Sequence, residues 1–208
     1  MAHIRHNVPA VSALYFQRQS ALLFTLFFFV LGISAGAFTE LFLPDDSKSQ
    51  VAAYLTQNLF AQEAVQAPQA VFVKSASNNL GLLLVTFLSG LTAFGVPAAY
   101  AAVVYKGAAL GFSSALLLEA LAAKGVLALL FTVLPPNLLI LPALLLSTGA
   151  AVNAALNAAK RRRVPGRRKS LSVEAGSYFA CFLLPFLFIL FGSLLEAFIC
   201  PAFLRLIG

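Results

Sequence analysis

Residues 160–169 read KRRRVPGRRK, and that decapeptide decides how the chain is read. It holds seven of the fourteen basic residues, Lys160, Arg161, Arg162, Arg163, Arg167, Arg168 and Lys169, between two long apolar segments. A loop with so many cations beside apolar spans is retained in the cytosol, where anionic lipid also attracts it. The cluster is therefore a topology and lipid signal, and the chain is predicted to be a polytopic membrane protein. Composition agrees, because 61% of the residues are hydrophobic and 10% are charged, against about 25% charged in soluble domains. The net charge of +7 is absorbed by this membrane-flanking loop, so nucleic acid is not the expected partner.

Working outward, a bilayer core of about 30 Å needs about 20 helical residues. The apolar runs 21–43, 80–105, 107–123, 137–157 and 177–200 supply five spans, with Lys106 closing the second and Pro201 the last. The predicted fold is all-α, a single membrane helix bundle over residues 1–208. Pro135-Pro136-Asn137 falls inside the apolar run 125–156. Proline removes a donor and clashes with the preceding turn, which predicts a helix break there. Residues 125–134 are then either a re-entrant piece or part of a kinked span. Broken backbone at membrane depth must be satisfied by protein or water, so residues 135–138 are expected to face the interior.

Five spans put the ends on opposite sides. With the amino end inside, Arg5, Arg18, Lys106 and the seven residues of the 158–174 loop are cytoplasmic, against Lys48, Lys74, Lys124 and Arg205 outside. The first apolar run is longer than a signal-peptide core and reads as a permanent helix. The sizeable extracytoplasmic part is 44–78. In it Ser47-Lys48-Ser49-Gln50 has the form of a capping box. Behind it Val51, Tyr54, Leu55 and Leu59 share one helical arc, a bundle-capping surface or a docking surface for an outer partner.

The polar inventory gives catalysis little support. Both histidines, His3 and His6, precede every span, and neither a zinc motif nor a phosphate loop occurs. Cys181 and Cys200 are 19 residues apart in one predicted helix, about 28 Å, too far for a disulfide. Catalytic residues, metal and cofactor are all expected to be none. The candidate buried polar or helix-break residues are Glu119, Lys124, Pro135, Pro136, Asn137 and Glu196. Lys124 is the expected partner of Glu119, snorkelling suffices for Glu196, and Asn137 is placed to cap a helix. Gly32-x-x-x-Gly36 and Gly107-x-x-x-Gly111 mark close helix packing, within or between chains.

The order of these features resembles the stage II sporulation protein M family, on its endospore-former branch. Asn79 enters a glycine-rich helix, Tyr105, Gly107 and Gly111 form a Tyr-x-Gly-x-x-x-Gly turn, and Leu134-Pro135 with Leu141-Pro142-Ala143 matches a Leu-Pro break and the helix after it. Residues 195–202, LEAFICPA, resemble the family's end. Many other members carry Pro-His-Gly and an acidic residue after the break. Here Pro136-Asn137-Leu138 and Ile140-Leu141 stand instead, so no role tied to that acidic group transfers. The resemblance implies a multi-pass protein of the mother-cell membrane at the sporulation septum. It would be a non-enzymatic anchor and localising scaffold for two peptidoglycan-degrading partners, stage II sporulation proteins D and P, in septal thinning and forespore engulfment. A permease-type transporter subunit is the rival reading, since broken helices with buried polar groups build midplane sites in transporters.

Overall fold

The computed structural model describes residues 8–60, 67–92, 94–163 and 171–207. These form six α-helices, α1 (Val8–Leu41), α2 (Asp45–Phe60), α3 (Pro68–Gly90), α4 (Val96–Ala128), α5 (Leu134–Arg163) and α6 (Leu171–Ile207), with a π-helical segment, Leu129–Val133, between α4 and α5. No strand occurs among the described residues. Four helical stretches are long and apolar enough to cross a membrane, Gln19–Leu41, Pro68–Gly90, Val96–Lys160 and Gly176–Cys200.

Size segregates by depth in the way a lipid solvent demands. Ala99, Ala128, Ala143, Ala151, Ala155 and Ala197 are fully buried, whereas Phe27, Phe38, Phe94, Phe179, Phe191 and Phe198 face outward. Lipid is as apolar as phenylalanine, so burying large side chains gains little. Small residues inside let backbones approach and gain dispersion instead.

The two glycine motifs meet each other inside one chain. A Cβ on Gly32 would lie 2.5 Å from the Val104 carbonyl oxygen, and one on Gly107 would lie 2.5 Å from that of Phe29. Gly36 approaches the backbone of Ala108, and Gly111 that of Ile33. Phe28 stacks on Tyr100 with ring centroids 4.6 Å apart. Residue numbers rise together along both helices, so α1 and α4 run parallel and backbone to backbone. The rest of the core, including Leu83, Ile140, Leu144, Val152, Phe182 and Ile189, lies among α3, α5 and α6.

Three predicted boundaries are corrected. The run 80–105 is not one span, because α3 stops at Gly90 and α4 starts at Val96. Pro97 takes a first-turn position, where a missing amide costs nothing, and Gly95 packs its α-carbon on the backbone of Ser89, leaving no room for a side chain in the turn. In consequence Lys106 lies within α4 and closes nothing. The segment 44–78, predicted to lie between the first two spans, shortens as well, since α3 begins at Pro68. Its mean hydropathy of 1.4, against 2.1 to 2.3 for the other three stretches, hid the start of that helix. The predicted loop 158–174 is helical at both ends, α5 running to Arg163 and α6 starting at Leu171, and residues 164–170 lie outside the described residues. Lys160, Arg161, Arg162 and Arg163 continue α5, where cations suit the negative end of the helix dipole.

The double proline does not break the helix. The chain instead reverses at Ala122, whose φ of 46° and ψ of −119° are non-helical. Gly125 lies against the backbone of Leu117, eight residues back, a separation of about 12 Å in a straight helix. From there the backbone stays helical, so residues 125–134 are the start of a long helix and not a separate re-entrant piece. Pro135 and Pro136 sit in the first turn of α5 behind the π-helical turn, where Leu134 N–H reaches the Leu129 carbonyl. Pro136 leaves the carbonyl of Thr132, four residues back, without its usual amide, and the Cys200 thiol donates to that oxygen at 3.2 Å.

Candidate functional site

Most buried hydroxyls here bond within their own helix. Thr25 donates to Ala21 O, Thr86 to Leu82 O, Ser147 to Ala143 O and Thr148 to Leu144 O. Such bonds satisfy the hydroxyl locally and need no partner helix. Ser75 behaves differently. Its hydroxyl donates across the interface to Glu196 Oε2 at 2.6 Å and lies 3.1 Å from Ser193 Oγ. A hydroxyl has one proton, so with that proton on the carboxylate Ser75 accepts from Ser193.

One turn further along α3, Asn79 Nδ2 donates to Ser75 O at 2.9 Å, and Lys106 Nζ donates to Asn79 Oδ1 at 2.7 Å. Lys106, Asn79, Ser75, Ser193 and Glu196 thus form one polar chain joining α4, α3 and α6. Ser75, Asn79 and Ser193 are buried, and Lys106 and Glu196 are half-buried. Asn79 is the midpoint of α3, so the chain begins near the middle of the apolar layer. Charged and amide groups at that depth are costly and persist when paired. Glu196 is held by Ser75 and does not merely snorkel. Lys106, Asn79, Ser75 and Ser193 were missed as site residues. The signal was present, since Ser75, Asn79, Ser193 and Glu196 are spaced four and three apart on single helix faces.

A second cluster gathers at the α2 end. Lys48 Nζ lies 2.9 Å from Glu40 Oε1 and 3.1 Å from Glu119 Oε1. Glu40 has 4% of its side chain exposed and Glu119 has 49%. Glu119 thus meets a lysine of α2, 71 residues away in sequence; the sequence pointed to Lys124. Lys124 itself is exposed, two residues past the reversal. Hydrogen bonds to Glu40 and then Glu119 hold the Lys48 ammonium above its ordinary value. The expected capping box at Ser47 gives way to an earlier start. Lys48 N–H bonds Pro44 O, Asp45 and Asp46 fill the first turn, and Gln50 Nε2 reaches Asp46 Oδ2 at 3.3 Å, acids at a helix N-terminus being favourable.

The remaining candidates separate. Pro136 is buried, Pro135 and Asn137 are half-buried and Leu138 faces out, so only part of 135–138 points inward. Asn137 does not cap; its Nδ2 bonds back to Val133 O at 2.8 Å, and its Oδ1 is buried without a hydrogen-bond partner. Val51 is half-buried on α2. The side chains of Tyr54, Leu55 and Leu59 lie outside the described ones, as do those of Arg161, Arg162 and Arg163, and residues 164–170 with Arg167, Arg168 and Lys169 lie outside the described residues altogether. Cys181 is exposed and Cys200 buried, both free thiols. No group of three or more His, Cys, Asp or Glu that could hold a metal ion occurs among the described residues.

The family model for stage II sporulation protein M matches residues 25–201, most of the chain and every helix of the bundle. The chain belongs to the stage II sporulation protein M family. It is thus a sporulation-related membrane protein of multi-pass, all-helical build. Comparison with curated proteins and with solved structures gives no match. For a member of the stage II sporulation protein M family, both polar clusters are internal ties between helices. The Lys106 chain binds α3, α4 and α6, and the Lys48 cluster fastens α2 across the α1–α4 pair.

Proposed function

We propose that the chain is a membrane anchor and localising scaffold for peptidoglycan-degrading partners, the stage II sporulation proteins D and P of its family, during septal thinning and forespore engulfment. The observation that carries this reading is the fastening of α2. Lys48 between Glu40 and Glu119 holds α2 across one end of a bundle that turns large apolar side chains such as Phe27, Phe179 and Phe191 outward. A helix fastened at the membrane face, with Val51, Tyr54, Leu55 and Leu59 on one arc by their spacing, suits helix-in-groove docking. Reversal at Ala122 divides Val96–Lys160 into two crossings. The bundle then has five, with the amino end and the basic loop in the cytosol and α2 and the carboxyl end outside, in the mother-cell membrane. Nine basic residues remain inside, Lys106 having moved to membrane depth, and four outside.

Affinity capture of a tagged chain from sporulating membranes is the test. Wild type should recover cell-wall hydrolases, and Lys48→Glu, which places three carboxylates together, should insert normally yet recover few. Undiminished recovery by that variant removes α2 from the account. Single cysteines at Ser49 and Ser170, in a chain without its native cysteines, report orientation; labelling of position 170 from outside intact cells overturns it. The polar chain of Lys106 favours a second reading, the permease-type subunit, whose signature is co-capture of an ATP-binding subunit in place of hydrolases.

A further inference from the structure

We propose that the polar chain of α3, α4 and α6 is a binding site for a monovalent alkali cation, one that the ammonium of Lys106 competes for. The donor set decides the class of ligand. Around Ser75 Oγ stand the Glu196 carboxylate at 2.6 Å and the Ser193 hydroxyl at 3.1 Å, and one turn along α3 Asn79, whose Nδ2 faces Ser75 Oγ at 3.4 Å, adds its Oδ1. These are oxygen donors, with the Asn79 oxygen already holding a cation, the Lys106 ammonium, at 2.7 Å. Hard oxygen donors select alkali and alkaline-earth ions over softer metals. Charge then decides between those two. One carboxylate serves the set, which balances a single positive charge and leaves half the charge of a divalent ion uncompensated at a depth where net charge is costly.

Two further observations set this cluster apart from an inert tie. Thr25, Thr86, Ser147 and Thr148 spend their hydroxyls on their own helices, whereas Ser75 gives its proton to Glu196 and accepts from Ser193 across an interface. Asn79 sits at the midpoint of α3, and Lys106 reaches it from α4 on a flexible four-carbon stem. That stem lets the ammonium enter or leave the oxygen cluster without moving a helix. A single carboxylate balances a single positive charge, so ammonium and alkali ion exclude one another. With Lys106 in place the cluster is closed, and with Lys106 withdrawn it accepts Na⁺ or K⁺ near the middle of the apolar layer. The idea is independent of the scaffold reading, which stands or falls on α2.

Thermal unfolding of the purified full-length chain in detergent micelles tests it, in NaCl, KCl and choline chloride at equal ionic strength. Wild type should unfold at a higher temperature in one alkali chloride than in choline chloride, the preferred ion being the one with the larger shift. Lys106→Met should bind that ion at least tenfold more tightly, read from the midpoint of the salt titration. Glu196→Gln and Ser193→Ala should lose the difference between alkali and choline salts. Should Lys106→Met fail to fold, the wild-type salt series and Ser193→Ala decide alone. Equal unfolding in all three salts for wild type overturns the proposal, as does an alkali-specific shift that survives Glu196→Gln.

Discussion

Replacing Gly32 or Gly107 by alanine tests the backbone-to-backbone seam of α1 and α4. The added Cβ would stand 2.5 Å from a carbonyl oxygen, where ordinary contact starts at 3.4 Å, and the obstacle is backbone that cannot rotate away. The two helices must therefore part by about 0.9 Å. A gap of that size forfeits about a quarter to a half of each atom pair's attraction of about 0.1 to 0.2 kcal/mol. Over a few tens of pairs along the seam the loss is about 1 to 3 kcal/mol, the usual cost of overpacking. In a chain of this length that lowers Tm by about 2 to 12 °C. One displacement relieves both clashes, so the double variant should cost clearly less than the two singles together. Gly81 is the control, since nothing lies within 4 Å of its Cβ, and Gly81→Ala should be neutral or raise Tm. The assay is thermal unfolding in micelles followed by circular dichroism. A Gly107→Ala protein as stable as Gly81→Ala, or strictly additive losses, would refute a seam set by close approach.

Four further outcomes follow from the geometry. Ala122→Gly should stabilise the fold by about 1 kcal/mol, measured by the same melt, because φ of 46° strains any residue with a Cβ. Cys200→Ala should cost about 1 kcal/mol by leaving the Thr132 carbonyl without its donor, and Cys200→Ser should recover most of it. Glu40→Gln should loosen α2 more than Glu119→Gln, since Glu40 is the more deeply buried partner of Lys48; protease cleavage within 61–66 reads this out. Lys48 is held above its ordinary value of 10.5. Its contribution is thus fully present below that value and is lost as pH rises through the raised one, so cleavage should stay constant from pH 8 to 10 and climb above.

Hydropathy made the all-helical membrane class legible, and the glycine spacing made close packing legible. Where the seam lay was not, because a Gly-x-x-x-Gly face names no partner. Residues 80–105 misled because the apolar run hid its own punctuation: Gly90, Gly95 and Pro97 mark a stop and a start within eight residues. Lys106 misled for a related reason. A lysine in an apolar run reads as an end only while its partner is unknown, and Asn79 lies 27 residues away in sequence. The prolines misled oppositely, since the Cys200 thiol that serves the orphaned carbonyl comes from 68 residues downstream. Glu119 and Glu196 were singled out as residues needing partners, and the groups that meet them here, Lys48 and Ser75, belong to helices that sequence spacing could not bring near.

The parallel seam of α1 and α4 also has a consequence for biogenesis. Gly32 meets Val104, 72 residues later in the chain, so the first helix enters the bilayer long before its mate is translated. At about 5 to 20 residues per second, its glycine groove waits roughly 4 to 14 s in lipid with nothing filling it. Until α4 arrives that groove is open to any other small-residue helix, which makes the nascent chain most vulnerable to mispairing in that interval.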